Sequence, residues 1–154
     1  MRFSADKLII FLATGFYSGK VPVAPGTFGT AAGLILCFVF SKMSIAVMMP
    51  CLIGFILVSI PIAGKAETLL RRQDPGEIVI DEIAGILITM AGLPFDLVSA
   101  VIGFFLFRFL DVLKPFPIRL IDKKMKGGTG IVMDDVAAGI MAHLLLRLIL
   151  AFWH

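Results

Sequence analysis

The chain has 154 residues, of which 59% are hydrophobic and 16% are charged, and its mean hydropathy is +1.02. Soluble domains are about half apolar and about a quarter charged, so this composition excludes a water-soluble globule and predicts a single all-α membrane domain over residues 1–154. The net charge of +3 is too small to indicate a nucleic-acid partner.

A short apolar segment, LIIFLATGF (8–16), comes first in the chain. A helix that crosses a membrane needs about 20 apolar residues, with a lower limit of about 17. We therefore expect this segment to lie at the membrane interface or to re-enter as a half-helix. No small-residue cleavage site follows it, so we expect the first membrane span to act as the insertion signal.

Five further stretches predict transmembrane helices. They run over 27–40, 43–63, 78–93, 96–113 and 131–153. The stretches 27–40 and 78–93 are short, so either their ends extend into the flanking loops or the membrane thins locally. The sequence thus predicts a polytopic protein with about five spans and an N-terminal interfacial helix.

Basic residues predict the orientation. Five lie in the loop 114–130 and three in the loop 64–77, whereas the loops 41–42 and 92–96 carry only Lys42. Basic loops stay in the cytoplasm, so the N-terminus is expected inside and the C-terminus outside. The polar segments beside the first, third, fourth and fifth spans then fall on the cytoplasmic face, which points to a single site there.

Two acidic pairs stand in otherwise apolar segments. IVIDEIAGI (78–86) is echoed by IVMDDVAAGI (131–140), which aligns Asp81 with Asp134 and Glu82 with Asp135. Both helices are expected to run in the same direction, and four carboxylates would then lie at one level.

Glycines follow these acids at a spacing that favours close helix packing. Gly85 is four residues after Asp81, and Gly139 is four residues after Asp135. Small residues at this spacing let membrane helices approach each other closely. The two helices are therefore expected to be neighbours.

Four adjacent carboxylates repel one another unless a cation or several protons lie between them. Ionisable groups at membrane depth are costly and indicate function. Mg²⁺ is bound through carboxylate oxygens and commonly bridges to a substrate phosphate. We predict Asp81, Glu82, Asp134 and Asp135 as metal ligands and catalytic residues; the alternative is that they only cap helix N-termini.

A phosphate-binding region is predicted between the fourth and fifth spans. Arg108, Asp111 and Lys114 follow at i, i+3 and i+6 as the fourth span ends. We predict Arg108 and Lys114 as phosphate-binding residues. The alternatives are that Arg108 only pairs with Asp111 and that Lys114 is a structural partner of Asp111.

Glycine-rich turns precede two of the spans. KGGTG (126–130) and APGTFG (24–29) can direct backbone N–H groups at an anion beside a helix N-terminus. Gly128 and Thr27 are the predicted phosphate-binding residues, with Thr27 also a candidate N-cap.

Several phosphatase chemistries are excluded. The sequence has no Cys followed by five residues and Arg, no Asp-x-Asp-x-Thr stretch, and only two histidines. The chemistry that remains is metal-assisted attack of water on a phosphomonoester, with a carboxylate orienting the water.

Three blocks resemble the signatures of bacterial phosphatidylglycerophosphatase A. They are GFYSGKVPVAPGTFGT (15–30), IDEIAGILITM (80–90) and FRFLDVLKPFPIRLIDKKMKGGTGIVMDDVAAG (107–139). The resemblance implies a Mg²⁺-dependent enzyme of the bacterial inner membrane. It would remove the terminal phosphate of phosphatidylglycerophosphate in the cytoplasmic head-group layer. The acidic positions of the family correspond to Asp81, Glu82, Asp111, Asp134 and Asp135, with Lys114 and the Pro-Gly-Thr of the first block beside them. The resemblance therefore implies that Asp111 is a further catalytic acid.

Two other functions compete with this interpretation. An ion or proton transporter would distribute its acids through the membrane depth, whereas these acids cluster at one face. A CDP-alcohol phosphatidyltransferase would carry an Asp-x-x-Asp-Gly-x-x-Ala-Arg block, which this sequence lacks.

Overall fold

The computed structural model describes residues 5–153, without the side chain of residue 153. Within this range the chain is all-helical, as predicted, and no strand forms. A 3₁₀ turn at Ser18–Lys20 joins the first two of seven α-helices. These are α1 (Ala5–Ala13), α2 (Pro25–Phe40), α3 (Ile45–Leu70), α4 (Ile80–Met90), α5 (Leu97–Leu113), α6 (Ile118–Lys124) and α7 (Gly127–Trp153).

Two of the described helices, α3 and α7, are long and apolar enough to cross a membrane. The other three predicted spans correspond to α2, α5 and α4, which have 16, 17 and 11 residues. At about 1.5 Å per residue, α4 is only about 17 Å long, against a hydrocarbon thickness of about 30 Å. The count of five spans therefore stays a prediction.

Helix α4 is the central helix of the bundle. It packs against α2, α3, α5 and α7, and every residue from Ile80 to Met90 except Glu82 is buried. The continuous apolar run of this segment is thus explained by contacts with protein on all sides. Because α4 is surrounded by other helices, the positions of its first-turn side chains are set by this packing.

Helices α4 and α7 run parallel with a constant register. A Cβ added to Gly139 would lie 2.5 Å from the Gly85 carbonyl oxygen, which confirms the predicted close approach of these two helices. Four residues further along each helix, His143 Nδ1 lies 3.2 Å from the Thr89 carbonyl oxygen. Thr89 Oγ1 also donates to the Gly85 carbonyl at 2.9 Å.

Helix α2 begins earlier than the sequence predicts. Its N-cap is Ala24, in the left-handed region, and Pro25 is its first residue. The prediction that Thr27 is the N-cap is wrong, because a proline with its fixed φ is well suited to the first helical position. Thr27 lies inside the first turn.

Candidate functional site

Three carboxylates converge at the start of α4. Asp81 and Glu82 come from its first turn and Asp135 comes from α7, and one oxygen of each lies within 4.8 Å of the others. The parallel packing of α4 and α7 produces this group, since Asp81 and Asp135 lie one helical turn before the Gly85–Gly139 contact. The packing register is one residue away from the sequence echo, which aligns Asp81 with Asp134.

Each acid of the two predicted pairs has a buried oxygen without a hydrogen-bond partner among the described residues. These atoms are Asp81 Oδ1, Glu82 Oε2, Asp134 Oδ1 and Asp135 Oδ2. A buried carboxylate that lacks a partner is costly. An oxygen-only set of donors of this kind fits a hard divalent cation such as Mg²⁺. The predicted ligand set is therefore compatible with the structure, and the assignment itself stays a prediction.

Asp134 differs from the other three acids in that it forms an ion pair. Its Oδ2 accepts a hydrogen bond from Lys114 Nζ at 2.6 Å, and Lys114 also donates to Asp122 Oδ1 at 2.7 Å. Three carboxylates therefore form one group and Asp134 also belongs to an ion-pair network, and the assignment of all four acids as metal ligands stays a prediction. The two acids of α7 differ because consecutive residues on a helix point in different directions.

Lys114 lies just beyond α5, at its C-cap. Burial acts to lower the pKa of Lys114, but its hydrogen bonds to Asp122 and Asp134 outweigh this and raise the pKa above its ordinary value. Lys114 is therefore a permanent cation beside the acidic group. The structure does not support the alternative in which Lys114 pairs with Asp111, because Asp111 pairs with Arg108.

Arg108 connects α5 to the acidic group. Its Nη1 donates a hydrogen bond to Asp111 Oδ2 and lies 3.7 Å from Glu82 Oε1. The Arg108 side chain is only 18% exposed. It therefore places a positive charge at the edge of the three carboxylates, where a bound anion would meet it.

Gly26 is the glycine of the Pro-Gly-Thr that the family resemblance places beside the acids, although it was not among the predicted phosphate-binding residues. It lies in the first turn of α2, and a Cβ there would overlap Glu82 Oε1 and approach Arg108 Nη1 to 3.0 Å. The glycine thus allows the α2 backbone to contact the Glu82–Arg108 pair. Its neighbour Thr27 is half-buried beside this contact. The resemblance thus indicated the right tripeptide, and the structure shows which contact its glycine makes.

We predict that Gly26→Ala will lower turnover about tenfold or more, because the added methyl displaces Glu82 or Arg108, and overpacking of this kind typically costs about 1–3 kcal/mol. The measurement is steady-state turnover of the purified variant. Gly54→Ala is the matched control, since a Cβ at Gly54 meets nothing within 4 Å. Unchanged turnover in Gly26→Ala would remove α2 from the site.

The other predicted glycine, Gly128, lies in a helix contact. A Cβ on Gly128 would overlap the Ile60 carbonyl oxygen and lie 2.6 Å from the Gly64 nitrogen, so α7 begins against α3. The phosphate-binding role of Gly128 stays a prediction. Asp122 on α6 also belongs to the site region, because it forms an ion pair with Lys114. It was not among the predicted site residues.

A polar cavity of about 380 Å³ borders Asp134 and Asp122. Its other polar side chains include Glu67, Asp74 and Lys126. Solvent and small polar molecules can therefore approach the network around Lys114. Taken with the three carboxylates, this arrangement can hold a divalent cation, orient a water molecule and offer Arg108 and Lys114 to an anionic group.

Comparisons with known proteins agree on one family. The sequence model of the phosphatidylglycerophosphatase A family matches residues 11–150. A phosphatidylglycerophosphatase A of Haemophilus influenzae is 39% identical over 136 residues, which cover 87% of this chain and 83% of that protein. The protein of that name in Escherichia coli K12 is 36% identical over 148 residues, covering 92% and 83%.

A third relative has a different name. It is a candidate phosphatidylinositol-3-phosphatase of Bacteroides thetaiotaomicron, 31% identical over 147 residues, which cover 90% of this chain and 91% of that protein. No solved structure matches the chain.

Proposed function

Because the chain belongs to the phosphatidylglycerophosphatase A family, a family of lipid phosphatases, we propose that it hydrolyses the terminal phosphate of phosphatidylglycerophosphate. The products are phosphatidylglycerol and inorganic phosphate. The observation that supports this most is the group formed by Asp81, Glu82 and Asp135, whose buried unpartnered oxygens lie beside Arg108.

Asp81, Glu82 and Asp135 would hold Mg²⁺, with the free oxygen of Asp134 as a further donor. When bound, the ion would neutralise charge on the phosphoryl oxygens. The donor set favours Mg²⁺ because it consists of carboxylate oxygens, without the sulfur or imidazole ligands that transition metals prefer.

The side chains of the site account for the rest of the reaction. One carboxylate of the group orients a water molecule and accepts its proton as the water oxygen attacks phosphorus. The bond between phosphorus and the glycerol oxygen breaks, and that oxygen takes up a proton to become the hydroxyl of the product. Arg108 and Lys114 stabilise the negative charge that develops on the phosphoryl group, and Asp111 holds Arg108 in place.

The transporter alternative is not favoured. A pathway for ions or protons needs ionisable groups along the membrane depth, whereas the buried acids gather at the start of α4 and early in α7. Beyond Asp135, α7 carries only His143 and Arg147 as ionisable residues within its described side chains.

Phosphate release from defined lipids tests the proposed function. Purified protein in mixed micelles should release phosphate from phosphatidylglycerophosphate with Mg²⁺ and none after chelation. Phosphatidylinositol 3-phosphate is the comparison substrate, because both lipids present a phosphomonoester on a glycerophospholipid head group. Faster release from the inositol lipid would reassign the substrate, and absence of Mg²⁺-dependent release from either would reject the proposal.

We also propose that the site faces the cytoplasm in an inner membrane that the chain crosses several times. The basic loops support this orientation, since exposed Arg72 and Lys124 lie on the side of the acidic group and Lys42 lies in the loop after α2.

Labelling of introduced cysteines should report this topology. In a Cys51→Ser background, which removes the exposed native thiol, Arg72→Cys and Lys124→Cys should react with a membrane-impermeant reagent only after the membrane is opened. Lys42→Cys is the control and should react in intact cells. Reaction of position 72 or 124 in intact cells would invert the proposed orientation.

A further inference from the structure

Helix α5 has an apolar groove on its outer side. The groove has a volume of about 670 Å³. Its apolar side chains recur every three or four residues and therefore lie on one face of the helix. They include Val101, Phe105, Phe109, Val112 and Leu113, and Phe105 and Phe109 are 66% and 63% exposed.

A second groove, basic in character, begins where the first one ends. It has a volume of about 520 Å³ and shares Leu113 with the apolar groove. Its basic side chains are Lys114, Arg119 and Lys123. Arg119 and Lys123 are four residues apart on α6 and are both exposed, and neither forms an ion pair with a described residue.

The apolar groove reaches the acidic group, and the basic groove reaches the ion pair of Asp134 with Lys114. Arg108 lines the apolar groove and lies 3.7 Å from Glu82 Oε1. Lys114 lines the basic groove and donates to Asp134 at 2.6 Å. A molecule that occupies the two grooves therefore contacts Arg108 and Lys114, and Arg108 in turn lies at the edge of the three carboxylates.

The order of polarity along this surface matches one glycerophospholipid. Acyl chains are apolar, the phosphodiester that follows them is anionic, and a lipid phosphomonoester lies beyond that diester. Arginine and lysine bind phosphate oxygens through charge-assisted hydrogen bonds. A zwitterionic lipid would bring its own ammonium or choline group against Arg119 and Lys123, which disfavours it.

We propose that the substrate lipid docks on this surface, with one acyl chain along α5 and its internal phosphodiester at Arg119 and Lys123. The terminal phosphate then extends toward the acidic group. The identity of the lipid rests on the proposed function, but the docking contacts require only an acyl chain and an anionic phosphodiester.

Binding of phosphatidylglycerol tests the basic groove. This lipid has the acyl chains and the diester but no phosphomonoester, so the proposed hydrolysis cannot affect the result. Native mass spectrometry of the protein in non-ionic micelles should show preference for phosphatidylglycerol over phosphatidylcholine. We expect Arg119→Gln/Lys123→Gln to weaken phosphatidylglycerol binding about tenfold or more, since it removes both cations that would bind the phosphodiester.

The matched control is Lys65→Gln/Lys124→Gln. It removes the same number of charges from exposed positions outside the groove, and its phosphatidylglycerol binding should stay within about twofold of wild type. Equal losses in both double variants would show general surface attraction and overturn the docking site. Unchanged binding in Arg119→Gln/Lys123→Gln would overturn it as well.

The apolar groove has its own comparison. Phe109→Ala should reduce the preference for long-chain over dihexanoyl phosphatidylglycerol, whereas Phe152→Ala, an equally drastic change at an exposed position on α7, should not. Equal effects of the two variants would overturn the assignment of an acyl chain to α5. A protein that binds phosphatidylglycerol as described but does not hydrolyse phosphatidylglycerophosphate would refute only the proposed function.

Discussion

Asp135→Asn should lower turnover by at least about 10²-fold and raise the Mg²⁺ concentration needed for the residual rate. The substitution keeps the shape of the side chain and removes one charge from a group in which Asp81 and Glu82 provide the other oxygens. The remaining acids would then bind the cation less tightly. Asp81→Asn should behave in the same way, because the two residues lie at matching levels of α4 and α7.

Steady-state rates at several Mg²⁺ concentrations measure both effects, and thermal unfolding in micelles shows whether the variants remain folded. Asp6→Asn on α1 is the matched control, since Asp6 is exposed and lies outside the acidic group. Near-normal turnover in both Asp81→Asn and Asp135→Asn would refute the metal site.

Lys114→Met should reduce turnover by about 10² through loss of a cation beside the transferred phosphate. It should also destabilise the protein, because Asp134 is only 7% exposed on its side chain and would lose its partner. Since Lys114 itself is partly exposed, we expect a cost of about 2 kcal/mol, well below that of breaking a fully buried pair. The Mg²⁺ requirement should change little, because the carboxylates remain.

Lys124→Met removes an exposed lysine that forms no ion pair with a described residue, and it should leave both turnover and stability unchanged. A double-mutant cycle with Asp122→Asn then measures the coupling energy between Lys114 and Asp122. If Lys114→Met lowers stability but leaves turnover at the wild-type level, Lys114 only stabilises the packing of α5 with α6 and α7.

The helices were largely predictable because their apolar runs are long and end at prolines, glycines or charges. The burial of α4 was not predictable, since a continuous apolar run has the same composition whether lipid or protein surrounds it. Helix α6 was also missed. Its seven residues lie in a basic stretch that shows no long hydrophobic period.

The site was predictable in its residue types and less so in its contacts. The echo of the acidic pairs and the glycines that follow them predicted that α4 and α7 meet. Asp134 and Asp135 have different partners because of the way α7 is rotated about its axis. The contact of Gly26 with Glu82 depends on where α2 begins. Neither the rotation of α7 nor the start of α2 can be derived from the spacing of residues within one segment.

The packing of α4 on α7 restricts the length of the chain as well as its composition. Asp135 is brought to Asp81 by the contacts of Gly139 with Gly85 and of His143 with Thr89 further along the same two helices. Deleting one residue between Asp135 and Gly139 would rotate the acid by about 100° around the helix axis and shift it by about 1.5 Å, while the glycine contact stayed in place. A substitution among the three residues of this interval therefore leaves Asp135 at its level on the helix, whereas an insertion or deletion moves the carboxylate out of the group.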